Sequence, residues 1–334
     1  MSLAEARRVL TLCTVCNYCN GFCEVFRVAE RRQAFSDGDL TYLAHLCHGC
    51  RNCWPACQYA PPHPFAINVP KVLAEVRQRS WHERPWLALA LVVLIPALTL
   101  ALVPWDVLFA RHVGPGAFYA VLPWSVLCMV AAAPLLWSLV ALGMDVARFW
   151  RDSGGGRPSW RAVVTALGDM ATLRNLEGGG IACDGGPARR WFHHALVAGF
   201  GLCFAATAIA TLYHHVLGWQ APYPVFSLPV VLGSVGGVGM MVGTIGLAWL
   251  KARIDPALDA APNDYTLLGL LFAVAATGMA LLAWRDSAAM GMLLAVHLGC
   301  VVGFFATLAH GKFAHAPYRA AALLRAAMER HNGP

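Results

Sequence analysis

The sequence predicts a mostly α-helical membrane protein in which a small cysteine-rich N-terminal region precedes a bundle of six membrane-crossing helices. Three observations carry that expectation. The 334-residue chain is 58% hydrophobic and only 13% charged, where a soluble domain carries about 25% charged residues. Its apolar residues gather into six stretches, each near the length of about 20 residues that a helix needs to cross the bilayer core. Eight of the 12 cysteines are crowded into two short runs ahead of the first stretch.

Residues 1 to 85 are polar and cysteine-rich and close with a helical run, "NVPKVLAEVRQRSWHERP". The opening "MSLAEARRVLTLCTVC" has no apolar core of the kind a secretory signal needs. The region is therefore expected to stay in the cytosol, where thiols remain reduced. From Trp86 the texture changes, and the six stretches fall at 86–104, 118–142, 191–216, 226–250, 265–284 and 289–310. They make 86–310 a transmembrane domain. Its longest break, 143–190, is glycine-rich and charged ("RDSGGGRPSW", "NLEGGGIACDGGPARR") and suits a cytoplasmic loop. Residues 311–334 form a short tail.

Lysine and arginine set the orientation, because basic residues accumulate in cytoplasmic loops. With the N-terminus inside, the cytoplasmic segments hold ten basic residues before the first span, seven between spans two and three, two between four and five, and four after the sixth. Only Arg111 and Arg285 fall in external loops. A split of 23 to 2 predicts six spans with both termini cytoplasmic. It also explains the net charge of +7 as topology, so a nucleic-acid partner is not needed.

Both cysteine runs read C-x2-C-x2-C-x3-C: Cys13, Cys16, Cys19, Cys23 and Cys47, Cys50, Cys53, Cys57. Disulfides, zinc and iron–sulfur clusters are the three candidate explanations. A reducing compartment disfavours disulfides, and a structural zinc site needs only two C-x2-C pairs, which leaves the third cysteine surplus. The spacing is that of two-cluster bacterial ferredoxins, whose fourth cysteine ligates the other cluster. On that logic Cys13, Cys16, Cys19 and Cys57 hold one [4Fe–4S] cluster, and Cys47, Cys50, Cys53 and Cys23 hold the second, in a ferredoxin-like region. The usual proline after the fourth cysteine is replaced by Glu24 and Gln58. Cys128, Cys203 and Cys300 stand singly in spans and read as small buried hydrophobes. Cys183 lies in the glycine-rich loop.

Ionisable residues inside a span are functional candidates. The third stretch opens with His193 and His194 and closes with His214 and His215, and the sixth carries His297 and His310. Imidazole is a usual axial ligand of haem iron, so the bundle is expected to be of cytochrome b type. His194 and His310 fall within about one helical turn of the cytoplasmic boundary and form the inner candidate pair. From His310 the small residues Ala306, Gly303 and Gly299 line one face, with room for a porphyrin expected there. His297 lies about 20 Å above His310 and could join His214 or His215 in a second, outer haem. The plain alternative makes His193, His194, His214 and His215 interfacial residues at headgroup level. Trp81, Trp86, Trp105, Trp191 and Trp219 read as an aromatic belt, and "GSVGGVGMMVGTIG" as a helix-packing face. Trp81, His82 and Arg84 are expected either to border a quinone pocket or to anchor the interface. No nucleotide loop, paired carboxylates or Ser–His–Asp arrangement stands out, so the chain is not expected to convert a substrate itself.

With "CTVCNYCNGFCEVF", "LCHGCRNCWPACQYAPPHPFAINVPK", "NLEGGGIACDGGPARRWFHH" and the histidine-bearing sixth span in view, nearly the whole chain resembles the tricarballylate-utilisation protein B (CitB/TcuB-type) membrane iron–sulfur family. The resemblance implies an electron-transfer protein of the bacterial inner membrane. In that family a partner FAD-dependent dehydrogenase, tricarballylate dehydrogenase or a relative, is reoxidised by way of two [4Fe–4S] clusters and b-type haem, with the quinone pool as acceptor. It implies the eight cysteines above as cluster ligands and leaves the dehydrogenase's substrate open. The rival expectation is a redox-sensing membrane protein or transporter that carries no steady current.

Overall fold

The computed structural model describes residues 3–81, 84–176, 187–254, 257 and 264–331, and among these it contains helices and no strand. Four short helices build the N-terminal region: α1 (Leu3–Cys16), α2 (Glu24–Glu30), α3 (Asp37–Leu46) and α4 (Val69–Gln78). Helix α3 starts at Ser36 because a capping box satisfies its first turn. Ser36 Oγ accepts from the Asp39 amide at 3.1 Å, and Asp39 Oδ2 accepts from the Ser36 amide at 3.2 Å. Asn68 caps α4 in the same manner, accepting from the Lys71 amide at 3.1 Å. Val9, Leu10, Val28, Leu40, Leu43 and Leu73 are buried between the four helices.

The remaining helices are α5 (Pro85–Leu102), α6 (Trp105–Leu108), α7 (Ala117–Val121), α8 (Trp124–Asp152), α9 (Trp160–Thr172), α10 (Ala188–Val216), α11 (Leu228–Lys251), α12 (Asp264–Ala283), α13 (Met290–Thr307) and α14 (His315–His331). Six of them, α5, α8, α10, α11, α12 and α13, are long and apolar enough to cross a membrane. Large apolar side chains such as Leu102, Trp137 and Val140 point outward from these helices, as lipid contact requires. Several expected boundaries move, and the second helix runs on to Asp152, ten residues into the expected loop. The second span starts at Trp124 rather than 118, because Pro123 cannot continue the short helix α7 and caps α8 instead. The sixth ends at Thr307, where the Gly311 amide closes the turn onto the Thr307 carbonyl at 2.7 Å. His310 therefore lies beyond the span, in the turn that leads to α14.

Small residues bring the spans into backbone contact. A Cβ added at Gly199 would lie 2.6 Å from the Gly236 carbonyl oxygen and from the Met240 amide nitrogen, and one at Gly243 would lie 2.6 Å from the Leu196 amide nitrogen. The glycine-rich stretch of α11 is thus a packing face against α10, as expected. A second such face corrects an expectation. Gly299 and Gly303 of α13 do not border open space: the Val92 and Ala88 carbonyls of α5 stand 3.0 Å from where their Cβ atoms would be. The porphyrin room expected there is filled by a helix.

The polar segments segregate to the two ends of the bundle. At one end α14 clamps the N-terminal region. Arg32 pairs with Asp39 at 3.0 Å and with Glu329 at 2.6 Å. Arg325 adds contacts to Asp39 and Glu329 and lies over the Tyr42 ring at 4.1 Å. Arg330 reaches Asp169 of α9 at 2.6 Å, so the segment between α8 and α10 joins the same assembly. Asn68 donates to the Ala257 carbonyl at 3.2 Å, which adds the α11–α12 connection. At the other end Arg111 donates to the Asp286 carbonyl at 2.9 Å and Arg285 to the Tyr223 carbonyl at 2.6 Å. Every segment expected to be cytoplasmic therefore has a described contact at one end of the bundle, and both external arginines lie at the other.

Candidate iron–sulfur site

The second halves of the two cysteine runs, 17–23 and 51–57, fold alike, whereas Cys13–Cys16 ends α1 and 47–50 is not helical. The residue after the second cysteine of each run, Asn17 and Arg51, has a positive φ, of 56° and 68°. Each carbonyl then accepts from the amide three residues on, Asn20 at 3.2 Å and Trp54 at 2.9 Å. Asn tolerates this left-handed conformation, whereas Arg at position 51 carries a strain of roughly 1–2 kcal/mol. That the chain holds it there argues that the third cysteine's direction matters. None of the described cysteines is in a disulfide.

The tertiary structure brings Cys57 of the second run near Cys13 and Cys19 of the first, and Cys23 of the first run near Cys47, Cys50 and Cys53 of the second. Cys13 has Cys16, Cys19 and Cys57 as its charged neighbours. Cys23 has Cys47 and Cys50, and Cys53 has Cys47, Cys23 and Cys50, with Cys19 farther down the order. Burial, followed by these mutual repulsions, pushes Cys13 and Cys23 up to about 12 and Cys19 up to about 11, and holds Cys53 well above the ordinary thiol value. Thiols in this condition ionise only when a cation takes the charge.

Several observations bear on what would fit. Among the described residues no three His, Cys, Asp or Glu side chains stand close enough to grip a single metal ion. Instead Cys23, Cys47, Cys50 and Cys53 surround a cavity of about 430 Å³, measured out to its mouth. Asn175, from the segment after α9, lines this cavity, and its Nδ2 is buried with no hydrogen-bond partner. An amide donor left so is costly unless an acceptor such as a thiolate or sulfide meets it. All-thiolate donors around open space suit an iron–sulfur cluster, which, when bound, would supply one-electron transfer.

The surroundings of the second group are cationic. Arg77 donates to the carbonyls of Ala44 at 3.1 Å and Cys47 at 2.8 Å. Arg189 donates to Gly49 at 2.6 Å and His48 at 3.1 Å, and Arg319 to His45 at 3.3 Å and Cys47 at 2.9 Å. Burial and then the neighbouring Arg77 lower Arg319 to about 9, against the opposing pull of the Cys47 thiolate. Three arginines thus hold the carbonyls of the loop that carries Cys47 and Cys50. His48 sits inside this loop with Nδ1 2.8 Å from the Leu46 carbonyl, kept neutral by burial and by Arg319.

The candidate haem histidines are placed less simply. His194 Nε2 lies 3.1 Å from the Ala171 carbonyl, which engages one of its two ring nitrogens. His297 Nδ1 lies 3.0 Å from Thr277 Oγ1. At the far end of α10, His214 stacks on Trp124 with ring centroids 4.9 Å apart, Tyr119 Oη lies 3.5 Å from its Nδ1, and His215 meets the same indole edge-on. His193, not His194, comes within electrostatic reach of another histidine across an interface, His315 of α14, and its Nδ1 is buried without a partner. Trp81 is not part of an aromatic belt: it is 7% exposed and packs against His45, with ring centroids 6.0 Å apart. Trp86, Trp105, Trp191 and Trp219 are exposed as a belt requires. His82 and Cys183 lie outside the described residues.

Sequence reasoning missed His315, Arg319 and Asn175. The first two lie in the polar C-terminal tail, and Asn175 in an unremarkable connection, so only the approach of α14 and the α9–α10 segment to the cysteine loop gives them meaning.

Comparison with known proteins agrees with this architecture. Residues 6–83 match the family model described as the citrate utilization protein B Fer4-like domain, and residues 81–333 match the citrate utilization protein B model. The chain is 41% identical to the citrate utilization protein B of Escherichia coli over 353 residues, covering 99% of this chain and 93% of that protein. No solved structure matches it. With six membrane-type helices behind a Fer4-like domain, the chain belongs to the citrate utilization protein B family of iron–sulfur membrane proteins.

Proposed function

We propose that the protein is the membrane electron-transfer partner of a flavoprotein dehydrogenase, accepting electrons on its N-terminal region and delivering them to the quinone pool. The observation that carries this reading is the placement of two four-thiol groups, one surrounded by arginines, against one end of a membrane bundle. The relative's name, citrate utilization protein B, fits a dehydrogenase that acts on a tricarboxylic acid, with tricarballylate or a similar compound as its substrate. Cys13, Cys16, Cys19 and Cys57 would hold one [4Fe–4S] cluster, and Cys23, Cys47, Cys50 and Cys53 the other. Residues 1–85 and 311–334 are proposed to lie in the cytoplasm with the loop 143–190, and 86–310 in the bacterial inner membrane.

Haem b is the less supported group. The face proposed for it on α13 is occupied by α5, and His194 is engaged with Ala171. With His310 in the turn beyond α13, the residues do not fit an inner haem between His194 and His310. Anaerobic purification followed by iron and haem assays and by oxidised and reduced spectra tests the cofactor content. Supplying the reduced flavoprotein and a quinone analogue tests the flow. Iron-replete protein that passes no electrons to any quinone would sink the proposal and favour the sensor reading.

A further inference from the structure

We infer that a quinone headgroup binds in a cavity at the cytoplasmic-domain end of the bundle, between the start of α5, the start of α12, the end of α13 and the turn before α14. This inference rests on the quinone-acceptor reading and gives that acceptor a place.

The cavity has a volume of about 400 Å³ including its mouth, and Arg84, Thr266, Leu270, Phe304, Thr307 and Lys312 are among its lining residues. Sites for small organic ligands are mostly apolar, with a few polar groups that orient the ligand. This lining has that character. Phe304 and Phe313 meet edge to face with centroids 5.4 Å apart and share Phe200 as a third neighbour, at 5.8 and 5.7 Å. They form an aromatic wall for a flat ring. Arg84 and Lys312 carry donors suited to ring carbonyls, and Thr266 adds a hydroxyl, whereas the Thr307 hydroxyl donates to the Gly303 carbonyl at 2.7 Å.

Position is the stronger argument. Arg84 is exposed at the start of α5, so the cavity sits at the level where a lipid-soluble ring can enter from the bilayer with its tail left in lipid. The Lys312 carbonyl, on the cavity's own turn, lies 2.5 Å from His315 Nδ1. One turn further along α14, Arg319 donates to the Cys47 carbonyl at 2.9 Å. Lys312 and Arg319 are seven residues apart, a rise of about 10 Å in a helix. The turn that lines the cavity and the arginine that holds the cysteine loop thus belong to one continuous segment of chain, 312–319. A quinone reduced there takes two electrons, supplied one at a time from the reduced flavoprotein through the protein, and two protons to become the quinol. The same cations could bind a phospholipid headgroup. The aromatic wall favours the quinone.

The test is photolabelling of the full-length, iron-loaded protein in nanodiscs with a short-chain azido-benzoquinone, with labelled peptides mapped by mass spectrometry. Labelling is expected on residues 84–88, 266–270 or 304–313 and should be displaced by unlabelled short-chain quinone. Leu270→Trp, which fills the cavity, should lower it at least tenfold, and Lys312→Gln, which leaves the Lys312 carbonyl in place, about three- to tenfold. Iron content and elution volume establish that each variant is folded. Label that maps elsewhere while the flavoprotein-coupled assay still reduces quinone overturns the site and leaves the functional proposal standing. No specific label together with no quinone reduction overturns both. Label lost in phosphatidylglycerol discs but kept in phosphatidylcholine discs identifies a phospholipid site and also overturns the inference.

Discussion

Replacing Cys57 by alanine should empty the site built on the first cysteine run, although Cys57 belongs to the second. Cys13 and Cys19 both count the Cys57 thiolate among their charged neighbours. With Cys13 raised to about 12, its ionisation at pH 7 costs on the order of 7 kcal/mol, at 1.36 kcal/mol per unit. Cys19 is raised as well, to about 11. Only bound metal offsets costs of that size, and a site with three thiolates in place of four has less to offset them with. Two cubanes correspond to about eight irons per chain, so each single variant should retain about four. Double variants decide which thiols share a site, because changes within one site are not additive whereas changes at separate sites are. Cys57→Ala with Cys16→Ala should still retain about four irons, and Cys57→Ala with Cys50→Ala should retain almost none. The assay is anaerobic iron and sulfide analysis, with electron paramagnetic resonance of the reduced protein. The crossed assignment is refuted if the pair from positions 57 and 50 keeps about half its iron and the pair from 57 and 16 loses all of it.

Other consequences can be checked on the same preparation. Arg32→Met removes one of the two cations, with Arg325, that pair with Asp39 of α3 and Glu329 of α14. Because Arg325 still reaches both carboxylates, the loss should be about 1.5–3 kcal/mol, read as a lower thermal midpoint and faster tryptic release of α14. Gly199→Val forces a side chain into the Gly236 carbonyl and should cost about 1–3 kcal/mol. Gly201→Val, with no atom within 4 Å of its added Cβ, should leave the melting curve unchanged. His45 and His315 are held well below the ordinary histidine value, first by burial and then by Arg77 and Arg319 or by Arg319 and Lys312. Their folded values lie below the unfolded value of about 6.5, so the stability tied to the neutral rings is complete above that pH and is lost as pH falls below it. Between pH 7.5 and 5.5 each should contribute a loss of about 1.4 kcal/mol. Denaturation of His45→Gln should show a shallower acid dependence, and an unchanged slope would contradict the assignment.

The parts of this protein that were legible in the sequence are those governed by local composition and repetition. Span count follows from apolar length, since a backbone in lipid must satisfy its own hydrogen bonds within a helix. The doubled C-x2-C-x2-C-x3-C spacing announced a pair of equivalent thiol sites, and the glycines of α11 announced a close helix contact. Boundaries set by single prolines and glycines, at Pro123 and at Gly311, were less visible, because a hydropathy window averages over them.

Partnership across the fold could not be read along the chain. Gly299 and Gly303 look the same in sequence whether a cofactor or a helix approaches them, and only the packing of α13 on α5 decides for the helix. His193 and His194 are adjacent in sequence but a helix turns them about 100° apart, which sends one toward His315 and the other toward the Ala171 carbonyl. The sequence by itself determined six spans, two sets of thiols and the end of the bundle to which charge belongs, because those depend on residue type and spacing. The tertiary structure alone decided that α14 brings Arg319 to the cysteine loop and His315 toward His193, and that a cavity opens at the turn before α14, because those depend on which helices meet.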